Sequence, residues 1–179
     1  MAVGRCLAAA LLVALQGCGY STGSMMPEGV QRLAVDVFAN DTFYREIEVT
    51  LSREISNELR QRSPVIVARR RHADAVLTGR ITSVLLPTLI ENDRDLISEQ
   101  AVIVTAEVTL TDLRDGTVLQ RFTAANRAEY VVERGESRET AFAEALRDLA
   151  EDIVNTLEND SFLRERGIEP VVPPAREDR

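Results

Sequence analysis

Two stretches of the chain repeat apolar residues at helical spacing. Residues 43–62 carry an apolar side chain at every fourth position, and residues 137–158 place theirs on one side of a helix. Charged residues fill the other positions, which predicts two amphipathic helices that each cover a core on one face. Ser137 is the expected N-cap of the second helix. The apolar stripes are Phe43, Ile47, Leu51, Ile55 and Leu59 in the first helix, and Phe142, Ala145, Leu146, Leu149, Ile153 and Leu157 in the second.

The remaining segments alternate apolar and polar residues, as strands do. Leu33, Val35 and Val37 are predicted to share one face of a first strand, and residues 65–68 form a short second one. Residues 74–90 are rich in Val, Leu, Ile and Thr, and Pro87 marks the expected interruption of this long strand. The pattern therefore predicts three strands before the middle of the chain.

The clearest alternation lies in residues 97–113, where one face is apolar and the other polar. Asp115-Gly116 then marks a hairpin, because glycine accepts the positive φ that such turns need. Residues 118–125 form the return strand. We interpret residues 126–134 as its extension, the alternative being an exposed contact. The apolar face consists of Val102, Val104, Ala106, Val108 and Leu110.

These elements follow one another in the order β-α-β-β-β-β-α. A sheet with one apolar face needs a cover, and two amphipathic helices provide one. The predicted fold is therefore α+β: a two-layer sandwich with two amphipathic helices on one face of a mostly antiparallel sheet of four or five strands. This domain is expected to span residues 30–160. Residues 161–179 hold three prolines and many charges, which predicts a disordered tail.

The N-terminus has the features of a processing signal. After Arg5, residues 6–15 carry no charge, but a bilayer-spanning helix needs about 20 apolar residues. The run fits the core of a secretory signal peptide, predicted as residues 1–17. It ends in Leu15-Gln16-Gly17-Cys18, which resembles a bacterial lipobox and implies a lipid on Cys18, with residues 18–29 as a lipidated tether. The alternative is an ordinary secretory signal in which Cys18 is incidental.

Composition excludes several classes of function. The 179 residues carry a net charge of −8, which becomes −9 when Arg5 leaves with the signal peptide, so binding to nucleic acid is not expected. The chain has one histidine and two cysteines, so we predict no catalytic residue, no metal and no cofactor. His72 is expected in a solvated turn. Asp112 and Asp115 flank the hairpin, where aspartate serves the backbone.

Arg69, Arg70 and Arg71 form the densest basic segment. Guanidinium groups suit phosphate, so these arginines are a candidate contact for an anionic ligand. The alternative, which we favour, is a solvated turn whose charges balance the nearby Asp74.

Four motifs occur in order along the chain: Cys18-Gly19-Tyr20, Pro27-Glu28-Gly29, Phe38-x-Asn40-x-Thr42 and Ala73-Asp74-Ala75-Val76-Leu77-x-Gly79-x-Ile81. Together they resemble the LptE family, the lipoprotein partners of the lipopolysaccharide-assembly barrel LptD. The resemblance covers about residues 18–158. It implies two helices on a mostly antiparallel four-stranded sheet and a non-catalytic protein that plugs the barrel, assists its assembly and can bind lipopolysaccharide. It also implies an outer-membrane lipoprotein whose domain faces the periplasm.

Two other families share parts of these motifs. They are activators of peptidoglycan synthases that resemble LpoB, and secretion-channel lipoproteins that resemble CsgG. A tether of about a dozen residues, at no more than ~3.6 Å per residue, is short for reaching through a cell-wall layer. This observation favours a barrel in the same membrane as the partner.

Overall fold

A computed structural model describes residues 26–27, 29–91, 97–131 and 134–165. Cys18 and the predicted signal peptide lie outside the described residues. Within the described residues, the helices are α1 (Ile47–Arg62) and α2 (Arg138–Glu165), and a short 3-10 turn spans Arg70–His72. The strands are β1 (Arg32–Val35), β2 (Ala39–Asn40), β3 (Ile66–Val67), β4 (Ala75–Leu85), β5 (Thr88–Glu91), β6 (Ile97–Asp112) and β7 (Val118–Val131).

The strands form one mixed sheet. The long strands β4, β6 and β7 pair antiparallel in that order, and β5 pairs antiparallel with β6. At the other side, β1 lies between β3 and β4 and runs parallel to both, since α1 is the crossover between β1 and β3. The predicted α+β fold is confirmed. The predicted first strand, residues 33–38, ends early at Val35, and the two-residue strand β2 follows it. The predicted long strand is divided at Pro87 into β4 and β5.

The core lies between this sheet and the two helices. The predicted apolar face of β6 is completely buried. α2 packs on β6 and β7, while α1 packs on β1, β2 and β3 and also on α2. The helix stripes are buried as predicted at Ile47, Leu51, Ile55 and Leu59 in α1, and at Ala145, Leu146, Leu149, Ile153 and Leu157 in α2.

Phe43 is a correction to the predicted stripe of α1. The chain turns at Glu46, whose φ is 68°, and α1 begins only at Ile47, so Phe43 is in the preceding loop and fully exposed. The Asn40 side chain organises this loop: its oxygen accepts the Thr42 N–H (2.9 Å), and its amide donates to the Tyr44 carbonyl (2.6 Å). Phe43 therefore continues the helical spacing in the sequence without belonging to the helix.

Two further boundaries differ from the predictions. Val37 does not share the buried face of Leu33, because β1 ends at Val35; Val37 is 65% exposed. α2 continues to Glu165, so residues 161–165 are helical, whereas the sequence predicts that the disordered tail begins at residue 161. At its start, the Ser137 hydroxyl accepts the Thr140 N–H (3.2 Å), which confirms the predicted cap.

A close contact between Phe38 and Gly79 joins the chain between β1 and β2 to β4. The Phe38 ring is buried against Gly79, where a Cβ atom would overlap the ring. The Phe38 N–H donates to the Ser52 hydroxyl of α1 (3.0 Å). Gly79 is therefore required by the close approach of an aromatic ring.

Gly79→Ala is expected to lower the free energy of unfolding by ~3 kcal/mol, because the added methyl overpacks the Phe38 ring. The control is Gly116→Ala in the β6–β7 hairpin. That glycine has a positive φ of 78° and no atom near the position of a Cβ, so only the left-handed cost of about 1–2 kcal/mol applies. Urea denaturation measures the free energy of unfolding of both variants. Equal losses in the two variants would show that Phe38 moves aside freely.

Candidate interaction surfaces

The three arginines of the sequence prediction lie on one exposed turn. Arg69 precedes the 3-10 turn, and Arg70 and Arg71 are within it, beside β1. Arg70 pairs with Asp36, which follows β1. In the described part of the chain, no carboxylate pairs with Arg69 or Arg71. The side chains of both arginines are exposed. Their contact with an anionic ligand stays a prediction.

The sequence interpretation expected Asp74 to balance the charges of the arginine turn, but Asp74 pairs with a different arginine. Its carboxylate pairs with the Arg32 guanidinium (2.7 Å) and accepts the backbone N–H groups of Arg32 (2.8 Å) and Gln31 (3.2 Å). The hydrogen bonds from the Arg32 side chain and backbone lower the pKa of Asp74 from its ordinary 3.8 to about 2. Asp74 thus connects the start of β4 to the start of β1.

The carboxylates of the hairpin have the backbone roles predicted for them. Asp112 accepts the Arg114 N–H (2.7 Å) and pairs with its guanidinium (2.5 Å), which lowers the pKa of Asp112. Asp115 accepts the Thr117 N–H (2.9 Å). His72 is exposed, as expected. Among the described residues, no three metal-ligating side chains cluster.

We call the sheet face opposite the helices the open face; most of its side chains are polar, and Leu85 and Ile103 also lie on it. Its side chains project from matched positions of β4, β6 and β7: Thr78 pairs with Thr109, which pairs with Arg121, and in the next row Arg80 pairs with Glu107, which pairs with Thr123. These side chains are exposed or half-buried. Such a face suits water or a polar protein wall rather than lipid tails. The polar side chains of the open face include Thr78, Arg80, Thr105, Glu107, Thr109, Arg121 and Thr123.

A cleft of about 350 Å³ lies between the N-terminal ends of the two helices. The rings of Tyr44 and Phe142 meet there with centroids 5.0 Å apart, and Arg45 and Arg138 are among the lining residues. The exposed Phe43 lines a neighbouring cavity. The sequence pattern did not reveal this cleft, because it predicts that the first helix begins at Phe43, whereas Tyr44 and Arg45 lie in the loop before α1. The turn motif Asn40-x-Thr42 was the available signal that Phe43 precedes the helix.

Comparisons with known proteins agree with this architecture. The model of the LptE family, described as lipopolysaccharide-assembly, matches residues 30–157. The hypothetical protein CT253 from Chlamydia trachomatis has a TM-score of 0.55 at 11% identity, over 73% of this chain and 96% of that one. Rare lipoprotein B from Shewanella oneidensis has a TM-score of 0.52 at 19% identity, over 75% and 98%. At these identities the likeness is one of fold.

A search of curated protein sequences finds no significant match. Within the described residues, no helix is long and apolar enough to cross a membrane.

The stability of the fold should depend on pH through Asp74. Because folding lowers its pKa, the ionised carboxylate stabilises the folded chain above about pH 4, and this stabilisation is lost as the pH falls towards about 2. We expect Asp74→Asn to lower the urea midpoint at neutral pH and to weaken its dependence on pH across that interval. Glu144→Gln, which removes an exposed acid of α2, is the control. An unchanged pH profile in Asp74→Asn would contradict this role.

Proposed function

The chain belongs to the LptE family of lipopolysaccharide-assembly lipoproteins, and from this we propose that it is the non-catalytic lipoprotein subunit of an outer-membrane assembly machine. The observation that carries the proposal is the family match over residues 30–157, which includes every strand, α1 and most of α2. In the proposal, a lipid on Cys18 anchors the protein in the outer membrane and the domain faces the periplasm.

The proposed partner is an integral barrel that resembles LptD, whose assembly this protein assists and whose lumen it plugs. The interior of a transmembrane barrel is polar. The open face presents hydroxyl and charged groups in regular rows, and both helices lie on the opposite side of the sheet. A polar face of this kind can hydrogen-bond with a polar lumen wall, which supports seating inside a barrel.

Lipopolysaccharide is the proposed anionic ligand, and Arg69, Arg70 and Arg71 are its proposed contact. The guanidinium fork matches the phosphate groups of such a glycolipid. The exposure of this turn supports the assignment, since both Arg69 and Arg71 are exposed and only the Arg71 Nε donates within the turn, to His72 Nε2 (3.4 Å). The net charge of −8 restricts any such attraction to local arginine clusters of this type.

Cys18→Ala is expected to move the protein from the membrane fraction to the soluble fraction, because the lipid is its proposed attachment. Cys6→Ala is the matched control, since Cys6 lies in the predicted signal peptide and should be absent from the mature protein. Fractionation of cells that express each variant, followed by immunoblotting, shows whether the protein is in the membrane fraction or the soluble fraction. Membrane retention of Cys18→Ala would refute the lipid anchor at this residue.

Purification of the lipidated protein from native membranes should recover an integral β-barrel protein. A photoreactive amino acid at Thr109, in the middle of the open face, is expected to crosslink to that barrel. The same group at Gly116, in the exposed hairpin turn, is the control for non-specific capture. Recovery of soluble cell-wall enzymes without any barrel would contradict the proposal and favour a regulator of peptidoglycan synthesis.

A further inference from the structure

The arginine turn, residues 69–72, lies on the open face of the sheet. β3 and β4 lie on opposite sides of β1, so the chain that joins them has to cross β1. α1 already packs on the helix-facing side of β1, which leaves the open face for this crossing. Ala34 and Val76 alternate with core residues and project to the open face, yet each is only 2% exposed and neither belongs to the core under the helices. Their burial shows that the crossing chain covers them.

Asp36 shows which part of the open face the turn covers. Its N–H donates to the Leu77 carbonyl of β4 (3.0 Å), so Asp36 continues the pairing of β1 with β4 and lies beside Thr78. The Asp36 carboxylate pairs with the Arg70 guanidinium. The arginine turn is therefore at the β1 end of the row of side chains that continues through Thr78.

Arg121 lies at the other end of this row. Thr78 pairs with Thr109, and Thr109 pairs with Arg121 of β7. Neighbouring strands are about 4.8 Å apart, so the three spacings from β1 to β7 separate Asp36 from Arg121 by about 14 Å along the sheet. Arg121 is exposed, and no carboxylate of the described residues pairs with it. Two separate groups of guanidinium donors thus flank two threonine side chains.

Phosphate groups suit the two ends of this row. A guanidinium group donates two parallel N–H groups to a phosphate, and a threonine hydroxyl both donates and accepts hydrogen bonds. The chain has a net charge of −8, yet Arg69, Arg71 and Arg121 have no carboxylate partner in the described part of it. Glu107 is the acid that opposes an anion here, because it lies in the next row and diagonally from Arg121. The row is therefore cationic at both ends and uncharged in its middle.

We propose that the arginine turn and Arg121 are the two ends of one binding site for a molecule with two phosphate groups on the order of 14 Å apart. Thr78 and Thr109 lie beneath the part of the molecule that joins the two phosphates. A phosphorylated glycolipid is the expected ligand, and this identity rests on the lipopolysaccharide contact of the proposed function. The extension of the site across the sheet to Arg121 does not, because it follows from the position of the turn on the open face.

The test compares two probes that differ by one phosphate. One is a glycolipid with a phosphate on each sugar of a glucosamine disaccharide, and the other is the same glycolipid without one of the two phosphates. The full lipidated protein, purified in detergent, should bind the first probe about tenfold more tightly, because the second phosphate adds charge-assisted hydrogen bonds. Absence of binding, or equal affinity for the two probes, would overturn the proposal.

Arg121→Gln is the decisive variant. It should lower the affinity for the diphosphorylated probe about tenfold and abolish the preference for it over the monophosphorylated probe. Arg53→Gln, which removes an exposed arginine of α1, is the matched control and should keep both affinities. The urea midpoint of each variant verifies that the fold is intact. A preference for two phosphates that persists in Arg121→Gln would refute the role of this residue.

Glu107→Gln provides a readout of the opposite sign. Removal of the acid diagonal to Arg121 should tighten binding of the diphosphorylated probe about twofold, since the repulsion between charges at that distance is weak in water. Weaker binding in Glu107→Gln would contradict the position of the second phosphate. Inorganic phosphate, added at the concentration of the probe, should displace neither probe; displacement would show a site for free phosphate and overturn the glycolipid as the ligand. The preference for two phosphates is measured without a barrel, so its loss is distinct from a failure to recover a barrel from membranes.

Discussion

The parallel pairing of β1 and β2 with β4 is the constraint on which the rest of the structure depends. β1 has four residues and β2 has two, so hydrogen bonding alone gives them little stability. Each end of this pairing is held by a side chain: Asp74 binds the first N–H groups of β1, and Phe38 packs on Gly79 between β1 and β2. Because the Phe38 N–H also binds Ser52, the same contact positions α1 against the sheet and beside α2.

This constraint explains the structural role of two of the family motifs. Phe38, Asn40 and Thr42 belong to one motif, and Asp74 and Gly79 belong to the other. In the structure Phe38 contacts Gly79, while Asp74 and Asn40 hydrogen-bond to the backbone. Every one of these residues maintains the architecture. These two motifs thus identify the fold and the family.

The sequence predicted the parts of the fold that periodicity controls. The buried face of β6 and the stripe of α2 follow from side-chain spacing, because a long element repeats its environment many times. Phe43 and Val37 were misplaced for the same reason, since each continues a spacing beyond the boundary of its element: Phe43 lies before the start of α1, and Val37 lies past the end of β1. The partner of Asp74 was also missed. Arg32 is distant in sequence, and only the pairing of β1 with β4 brings the two together.

The polar side chains of the open face act through hydrogen bonds and charge rather than through buried apolar area. They are exposed or half-buried and occupy matched positions of β4, β6 and β7. Exposed ion pairs contribute only about 0–1 kcal/mol each. A single charged contact on this face therefore cannot hold a partner, and recognition has to come from many polar contacts that the regular spacing of the strands aligns.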